Sequence, residues 1–468
     1  MKSLFSSHVG WRGLWVLLIP LLLLVSIPSA GNAQEALPPP PPLKDARFGA
    51  VEAYDAPHIA QAAGVGWGRV IFWWHQVQRD GPNSWNEYYF TDGQLNQELN
   101  AGRQMVGLLG GTPPWASETQ SVRAVPNGLY LPYDHPDNVW GQFVYQIADR
   151  YKGKIDHWVI WNEPDIWDDD HPGKTWDGTV QDFVQLQKVA YQAARAANPN
   201  VKVILAATTY WWDVEYGRPL YINGLLDAIN AEPDAAALNH FFDIAAFHIY
   251  FKPEQVYDVT KLYRDIFNAK GFANKPLWIN ETNAPPSTDP LHPAPGLRFP
   301  VSLEDQSYFL VQAFASGLAA GAERVSIYKT RDERALPIGV EPYGMMRKDG
   351  SVRPVFHTYR TLVTYLADYQ SATMVKEGWA RRVTIPRGDR GRTTVVWNMG
   401  LGAQEMRVPA TAADALLVGP FGPLRRIQAE GGSYRLVLPG SKGGEVGGTP
   451  YLIVEGAGSQ IDLPVPAE

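Results

Sequence analysis

The chain has 468 residues, 45% of them apolar and 12% aromatic, and carries a formal net charge of −7. This is the composition of a globular protein and not of a disordered one, and the length calls for two or three domains. The negative balance argues against a nucleic-acid partner, and the complete absence of cysteine removes disulfides, thiolate zinc sites, cysteine nucleophiles and lipidation at cysteine.

Lys2 and Arg12 precede an apolar stretch from Gly13 to Ile27, and small residues follow from Pro28 to Ala33. A basic start, a short apolar run and a small-residue end read as an export signal over residues 1–33, with Gln34 as the mature N-terminus. The expected location is secreted or periplasmic. An uncleaved membrane anchor through residues 13–27 is the alternative, although a stretch interrupted by Pro20 is short for a span. Five prolines, Pro38 to Pro42, make residues 34–46 a stiff linker.

From Arg47 onward short apolar runs alternate with longer helical patterns. Eight runs read as strands: Arg47–Glu52, Gly68–Trp74, Gln104–Gly110, His157–Trp161, Val201–Ala206, Asp243–Tyr250, Pro276–Asn280 and Arg324–Tyr328. Between them, stretches such as Asn138–Tyr151, Val180–Ala197 and Gln306–Ala320 place apolar residues three and four apart, the period of an amphipathic helix. Eight strand–helix units over residues 47–370 predict a (β/α)8 TIM barrel. A doubly wound open sheet is the alternative, but no glycine-rich phosphate loop follows the first strand. Beyond residue 371 the runs Ala380–Ile385, Thr393–Trp397, Tyr434–Leu438 and Tyr451–Val454 are short and divided by glycine and proline. Residues 371–468 therefore read as a small C-terminal antiparallel β-sandwich domain, which either packs on the barrel or binds sugar.

The fourth strand runs into Trp161-Asn162-Glu163-Pro164 and the seventh into Asn280-Glu281. A carboxylate at the end of a buried strand is costly to desolvate, so it is seldom there for packing. In a (β/α)8 barrel the chemistry gathers at the C-terminal ends of the strands, and strands four and seven lie on opposing parts of the rim. Glu163 and Glu281 can therefore converge on one site as an acid and a nucleophile, the equipment for retaining glycoside hydrolysis. An isolated glutamate at a strand end is more often a cap or an ion-pair partner; the pair makes the case. Burial beside Trp158 and Trp161 is expected to favour the protonated form of Glu163.

The barrel resembles clan A of the glycoside hydrolases, families five and thirty-nine in particular, through Trp161-Asn162-Glu163-Pro164 and Trp278-Ile279-Asn280-Glu281-Thr282. The resemblance implies Glu163 as general acid/base and Glu281 as nucleophile, with Asn162 on the sugar 2-hydroxyl. Arg69, in Gly66-Trp67-Gly68-Arg69-Val70, is similar to the second-strand arginine that keeps the nucleophile ionised. His248-Ile249-Tyr250 is similar to the His-x-Tyr whose hydroxyl contacts the nucleophile, and Thr112-Pro113-Pro114-Trp115-Ala116 resembles a loop of the same group. In each case a plainer role stays open: an ion-pair former for Arg69, a core histidine for His248.

Aromatic side chains at strand ends can stack on sugar rings, and Trp115 and Trp167 are the expected platforms among Trp73, Trp74, Trp115, Trp167, Trp176, Trp211 and Trp212. Strand eight departs from the clan's pattern: many members end it with tryptophan, whereas this chain has Ile327-Tyr328-Lys329. Tyr328 is then the substitute platform, or Lys329 faces an acidic or hydroxyl-rich substrate. Glu52, ending strand one, is either a substrate contact or an ordinary polar residue. Asp168-Asp169-Asp170 with His171 reads as a solvated loop and not as a metal site, because adjacent carboxylates do not easily turn toward one ion. No metal or organic cofactor is implied, and the expected partner is a carbohydrate substrate. The rival readings are a non-catalytic carbohydrate-binding or cell-surface barrel and a transglycosylase using the same glutamates. A metal-dependent hydrolase is disfavoured, since the ten histidines show no His-x-His or His-Glu-x-x-His pairing. The proline-rich segment Asn283–Pro300 is expected to shape the site into a pocket or a cleft.

Overall fold

The computed structural model describes residues 37–460. The expected signal over 1–33, the Gln34 terminus and the alternative anchor at 13–27 lie outside the described residues, as does the end of the chain from 461. Among the described residues no helix is long and apolar enough to cross a membrane.

Eight parallel strands form the first sheet: β1 Phe48–Val51, β2 Trp67–Trp73, β3 Gln104–Gly110, β4 His157–Ile160, β5 Lys202–Ile204, β6 Ala245–His248, β7 Leu277–Thr282 and β8 Arg324–Ile327. Their order is β5-β4-β3-β2-β1-β8-β7-β6, and single bridges from Ile204 to Ile244 and from Thr208 to Phe247 close the seam between β5 and β6. Each strand is followed by a helix: α1 Pro57–Ala63, α2 Asp92–Asn100, α3 Val139–Arg150, α4 Val180–Ala197, α5 Tyr221–Ala231, α6 Pro253–Ala269, α7 Leu303–Ala319 and α8 Pro354–Leu366. The chain is thus a (β/α)8 barrel. Several helix starts are written locally: Thr91, Thr179 and Ser302 each close a capping box with the residue three positions on. Proline occupies the first turn of α1, α6 and α8, where its missing N–H loses no helical bond.

Alternation along the strands sorts side chains to two sides. Outward residues such as Phe72, Trp158, Phe247 and Ile279 join the layer beneath the helices, while Trp67, Val106, Val159, Ile204 and Trp278 fill the barrel interior. Two indoles fit because the neighbouring strand carries glycine. A Cβ on Gly49 would lie 2.1 Å from the Trp67 ring, and one on Gly107 would lie 2.1 Å from the Trp158 ring.

The C-terminal region forms a six-stranded antiparallel sheet and a two-stranded one. Its strands are β9 Thr373–Glu377, β10 Ala380–Pro386, β11 Arg392–Asn398, β12 Gln404–Pro409, β13 Asp414–Gly419, β14 Gly422–Gln428, β15 Ser433–Leu438 and β16 Tyr451–Glu455. Between the two sheets lies a small core of Val396, Met406, Val408, Tyr434, Leu436 and Ile453. The other face of the larger sheet, with Val383, Val395, Trp397 and Leu452, belongs to the same apolar core as the barrel helices. The junction is also polar in a defined way: buried Gln312 of α7 donates to the Gly448 carbonyl at 3.0 Å and accepts from the Gly447 amide at 3.0 Å. Residues 37–46 do not stand free of the barrel; Pro41 is buried, and the Pro39 carbonyl accepts a bond of 2.8 Å from Arg360.

Two long loops over the barrel mouth are held by one buried charge network. Asp289 lies in the loop after β7, and its carboxylate accepts from Arg347 at 2.7 Å and from Arg353 at 2.8 Å, both in the segment after β8. Arg353 also makes a paired contact with Asp332, at 2.8 and 2.7 Å. Burial would raise the Asp289 carboxyl, but the two guanidiniums outweigh it and hold it at about 2. Removing one partner of such a network strands buried charge. Asp289→Ala is expected to lower unfolding free energy by about 3–5 kcal/mol, read by urea denaturation at neutral pH. Because the folded carboxyl titrates below its ordinary 3.8, its contribution is present above that pH and fades as pH falls toward 2. The gap between wild type and variant should therefore narrow in acid.

Candidate active site

Glu281 faces the barrel interior because β7 is bulged. Phe247 of β6 pairs with Ile279, but the next residue, His248, pairs with Glu281, so Asn280 is extra. The same insertion appears against β8, where Ile279 pairs with Val325 and Thr282 with Ile327. In an unbroken strand Glu281 would follow Ile279 to the helix side; the extra residue turns it inward. The expected strand end at Asn280 is thereby corrected: Glu281 is part of the strand, not the residue after it.

Glu163 is aimed by a different device. After β4 the backbone takes left-handed conformations at Trp161 (φ 70°) and Glu163 (φ 48°), unusual for residues other than glycine. The turn is held by several bonds: the Glu163 amide donates to the Ala207 carbonyl at 3.1 Å, and its carbonyl accepts from the Thr175 hydroxyl at 2.5 Å. Two residues on, fully buried Asp165 accepts from the amide and hydroxyl of Thr209, both at 2.7 Å. Burial raises the Asp165 carboxyl to about 7 against those bonds.

The two carboxylates meet across His248, the inward residue ending β6. Its Nδ1 lies 2.6 Å from Glu163 Oε1 and 3.5 Å from Glu281 Oε2. One oxygen of each glutamate and the imidazole nitrogen all fall within 4.8 Å of one another. The Glu281 side chain is 8% exposed and that of Glu163 is 19% exposed, so the first is enclosed and the second reachable.

Arg69, inward on β2 and buried, donates to Glu281 Oε1, and the Tyr250 hydroxyl donates to Oε2. Burial alone would raise the Glu281 carboxyl, but positive charge at His248 and Arg69 and the Tyr250 bond prevail and hold it below the ordinary glutamate value. Tyr250 and Tyr328 move the opposite way: burial first, and then the Glu281 charge, raises both phenols so that they remain donors. Three donors or ligand groups, Glu163, His248 and Glu281, are close enough to hold a cation.

Arg69, His248 and Tyr250, expected from the motifs, therefore assemble around the two glutamates. Asn162 borders a cavity of about 130 Å³ with Trp73, His75, Gly111 and Trp161, and its buried Oδ1 has no protein partner. Tyr328 lies at the mouth, edge-on to Tyr250 and Tyr343 at 6.2 and 5.3 Å. Trp167 is 45% exposed on the rim, with the Arg218 guanidinium 4.6 Å from its ring. Trp115 is half-buried; its indole donates to the Gln78 carbonyl at 2.8 Å and meets Trp74 edge-on.

Three expectations change. Trp158 packs outward on Phe72 and Tyr151, and the Trp161 indole donates to Thr175 and meets Trp176. The side-chain partner of Glu163 is therefore His248 and not a tryptophan pair. Lys329 is buried and paired with Glu52 at 2.9 Å, which gives both residues a partner. The Asp168–Asp170 loop is pinned and not merely solvated: Arg218 makes paired bonds of 2.6 and 2.7 Å to Asp168, and also bonds Asp213 and the Asp165 carbonyl. Tyr343 and Arg218 escaped sequence reading because neither lies in a strand-end motif. Asn283, directly after β7, donates to the carbonyls of Tyr328 and Tyr343, contacts too distant in sequence to leave a local signature.

No protein-family model and no curated protein sequence matches the chain. Among solved structures it is similar to a family 39 glycoside hydrolase from the gut symbiont Bacteroides cellulosilyticus WH2, with TM-score 0.65 and 15% identity over 88% of this chain and 81% of that one. It is also similar to a GH30 endoxylanase from Clostridium papyrosolvens C71 and to a monomeric beta-xylosidase from Caulobacter crescentus CB15. Each gives TM-score 0.56 and 13% identity over 89% of this chain, covering 98% of the endoxylanase and 97% of the xylosidase. These likenesses establish the shared fold.

The electrostatic reading is testable on the carboxyl itself. In Tyr250→Phe, which removes one donor to Glu281, the Glu281 midpoint is expected to move to higher pH. A titration followed by carbon-13 NMR of labelled glutamate carboxyls checks this, and an unmoved midpoint would contradict it.

Proposed function

We propose that the protein is a retaining glycoside hydrolase acting on β-glycosidic bonds of an oligo- or polysaccharide. The observation that carries this reading is the approach of Glu163 and Glu281: their nearest oxygens lie within 4.8 Å across the barrel mouth. Retaining enzymes hold their carboxyl groups roughly 5–5.5 Å apart, whereas inverting enzymes need roughly 6.5–9.5 Å to seat a water between them.

The surroundings support different roles for the two groups. Glu281 is enclosed, ionised by its neighbours and bonded on both oxygens, so it is placed to attack an anomeric carbon. As its oxygen bonds to that carbon, the bond to the leaving oxygen breaks and Glu163 delivers a proton to it. Water then attacks the glycosyl ester, Glu163 takes the water's proton, and Glu281 leaves as carboxylate. His248, within hydrogen-bond distance of Glu163, is positioned to hold the acid's orientation through both steps. Asn162, with an unpartnered buried oxygen, is the candidate acceptor for a sugar hydroxyl next to the reacting carbon. The similar solved structures, named as glycosidases or xylanases, are in keeping with this reading. A binding protein has no need of an ionised, enclosed carboxylate facing a second one, which weighs against the non-catalytic reading.

Replacing each glutamate separates the roles. Glu163→Ala is expected to slow hydrolysis of alkyl or sugar leaving groups by about 10²–10⁴-fold while sparing dinitrophenyl glycosides, which leave without a proton. Glu281→Ala should abolish turnover of both, and added azide should return a glycosyl azide of inverted configuration. Near-wild-type hydrolysis by Glu281→Ala would refute the assignment.

A further inference from the structure

A cavity of about 390 Å³ lies where the barrel mouth meets the β-domain. Its barrel side is Phe251, just past β6, with Phe299 and Val301 from the loop after β7; its other side is the β-domain segment Lys442–Val446. We infer that this cavity is a distal subsite for a neutral sugar residue of the same glycan chain that is cleaved at Glu281. The inference rests on the glycoside-cleaving reading and extends it.

Position is the first argument. Tyr250, whose hydroxyl bonds Glu281, is followed directly by Phe251, and the two rings lie 5.7 Å apart. The cavity wall thus begins one side chain from the nucleophile. Its volume falls in the range of small-molecule sites, roughly 300–1,000 Å³. The loops bounding it are fixed, not loose: Phe251 stacks on Phe299 at 5.0 Å, and its amide donates to the Asn283 carbonyl at 3.0 Å.

Chemistry is the second. The apolar wall of Phe251 and Phe299 suits the C–H face of a sugar ring. Gly443 and Gly444 line the cavity without side chains, and Asp305 and Glu445 add carboxylate acceptors. The cations at the rim are already paired, Lys252 with Glu445 at 2.7 Å and Lys442 with Glu304 at 2.6 Å. With its cations paired and the Asp305 carboxylate in excess, such a lining suits hydroxyls and repels phosphate or carboxylate.

Continuity is the third. A Cβ on Gly443 would lie 3.7 Å from Leu401, and one on Gly400 would lie 3.0 Å from Trp379. Leu401 and Trp379 are 76% and 65% exposed, so apolar surface continues from the cavity onto the β-domain. A chain would follow such a strip; a single sugar would have no use for it.

Gly444→Trp tests the inference, because Gly444 lines the cavity, a Cβ there meets nothing within 4 Å and its backbone is not left-handed. The short probes are 4-nitrophenyl β-glucoside and β-xyloside, and the long ones are cellohexaose and xylohexaose. For the cleaved hexasaccharide, kcat/KM is expected to fall about tenfold or more through KM, while the 4-nitrophenyl glycosides stay within about twofold of wild type. Phe299→Ala should give the same split. Parallel losses on short and long probes, or no loss on either, would overturn the inference. If wild type cleaves none of the probes, the glycosidase reading fails, and calorimetric binding of the hexasaccharides decides the cavity alone. Weaker binding in Gly444→Trp than in wild type supports it, and equal or absent binding in both overturns it.

Discussion

The ion pair between Arg69 and Glu281 is the constraint around which the site is arranged. Two charges enclosed in a barrel are tolerable only when they meet each other and when further bonds satisfy what remains. Arg69 is inward on β2 by simple alternation; Glu281 is inward on β7 only because Asn280 is inserted before it. Once the pair is formed, the rest has a place to go. Tyr250 closes on the second oxygen of Glu281, His248 stands beside it, and Glu163 reaches His248 from the opposing strand. The result is an enclosed carboxylate kept ionised beside a second, more open one.

The support for this arrangement comes from the loops and not from the barrel interior. Arg218 gathers Asp168, Asp213 and the Asp165 carbonyl, and so fixes the chain that leaves Glu163. Asp289 does the same for the two loops on the other side through Arg347 and Arg353. Left-handed backbone at Trp161 and Glu163 needs such anchoring, since a residue held there costs about 1–3 kcal/mol that the surroundings must offset. The β-domain adds to the same frame. It shares one apolar core with α7 and α8, and Gln312 locks its 447–448 turn onto the barrel.

Much of this was legible before any coordinates. All eight expected barrel strands occur, because each is a short apolar run between helices with a clear three-and-four period. Glu163 and Glu281 stand out because each ends an apolar run, and Arg69, His248 and Tyr250 through the resemblance of their motifs; alternation alone would have turned Glu281 to the helix side. What stayed hidden depends on contacts distant in sequence. Nothing in the string around Asn280 announces a bulge, and the indoles at 158 and 161 could not be assigned to the outer layer without the register. Lys329 and Glu52 are 277 positions apart, so their pairing had no local signature. Tyr343 and Arg218 sit in irregular loops, where periodicity says nothing about which way a side chain points.

The central claim is that Glu281 forms a bond to the sugar. Incubation with 2-deoxy-2-fluoro-β-glucosyl and β-xylosyl fluorides, followed by mass spectrometry of the digested protein, tests it directly, because the fluorine slows release of a glycosyl-enzyme. The account predicts one added sugar, located on the peptide that contains Glu281 and absent from Glu281→Gln. An adduct on another residue, or hydrolysis of these fluorides to products of inverted configuration with no adduct, would contradict it.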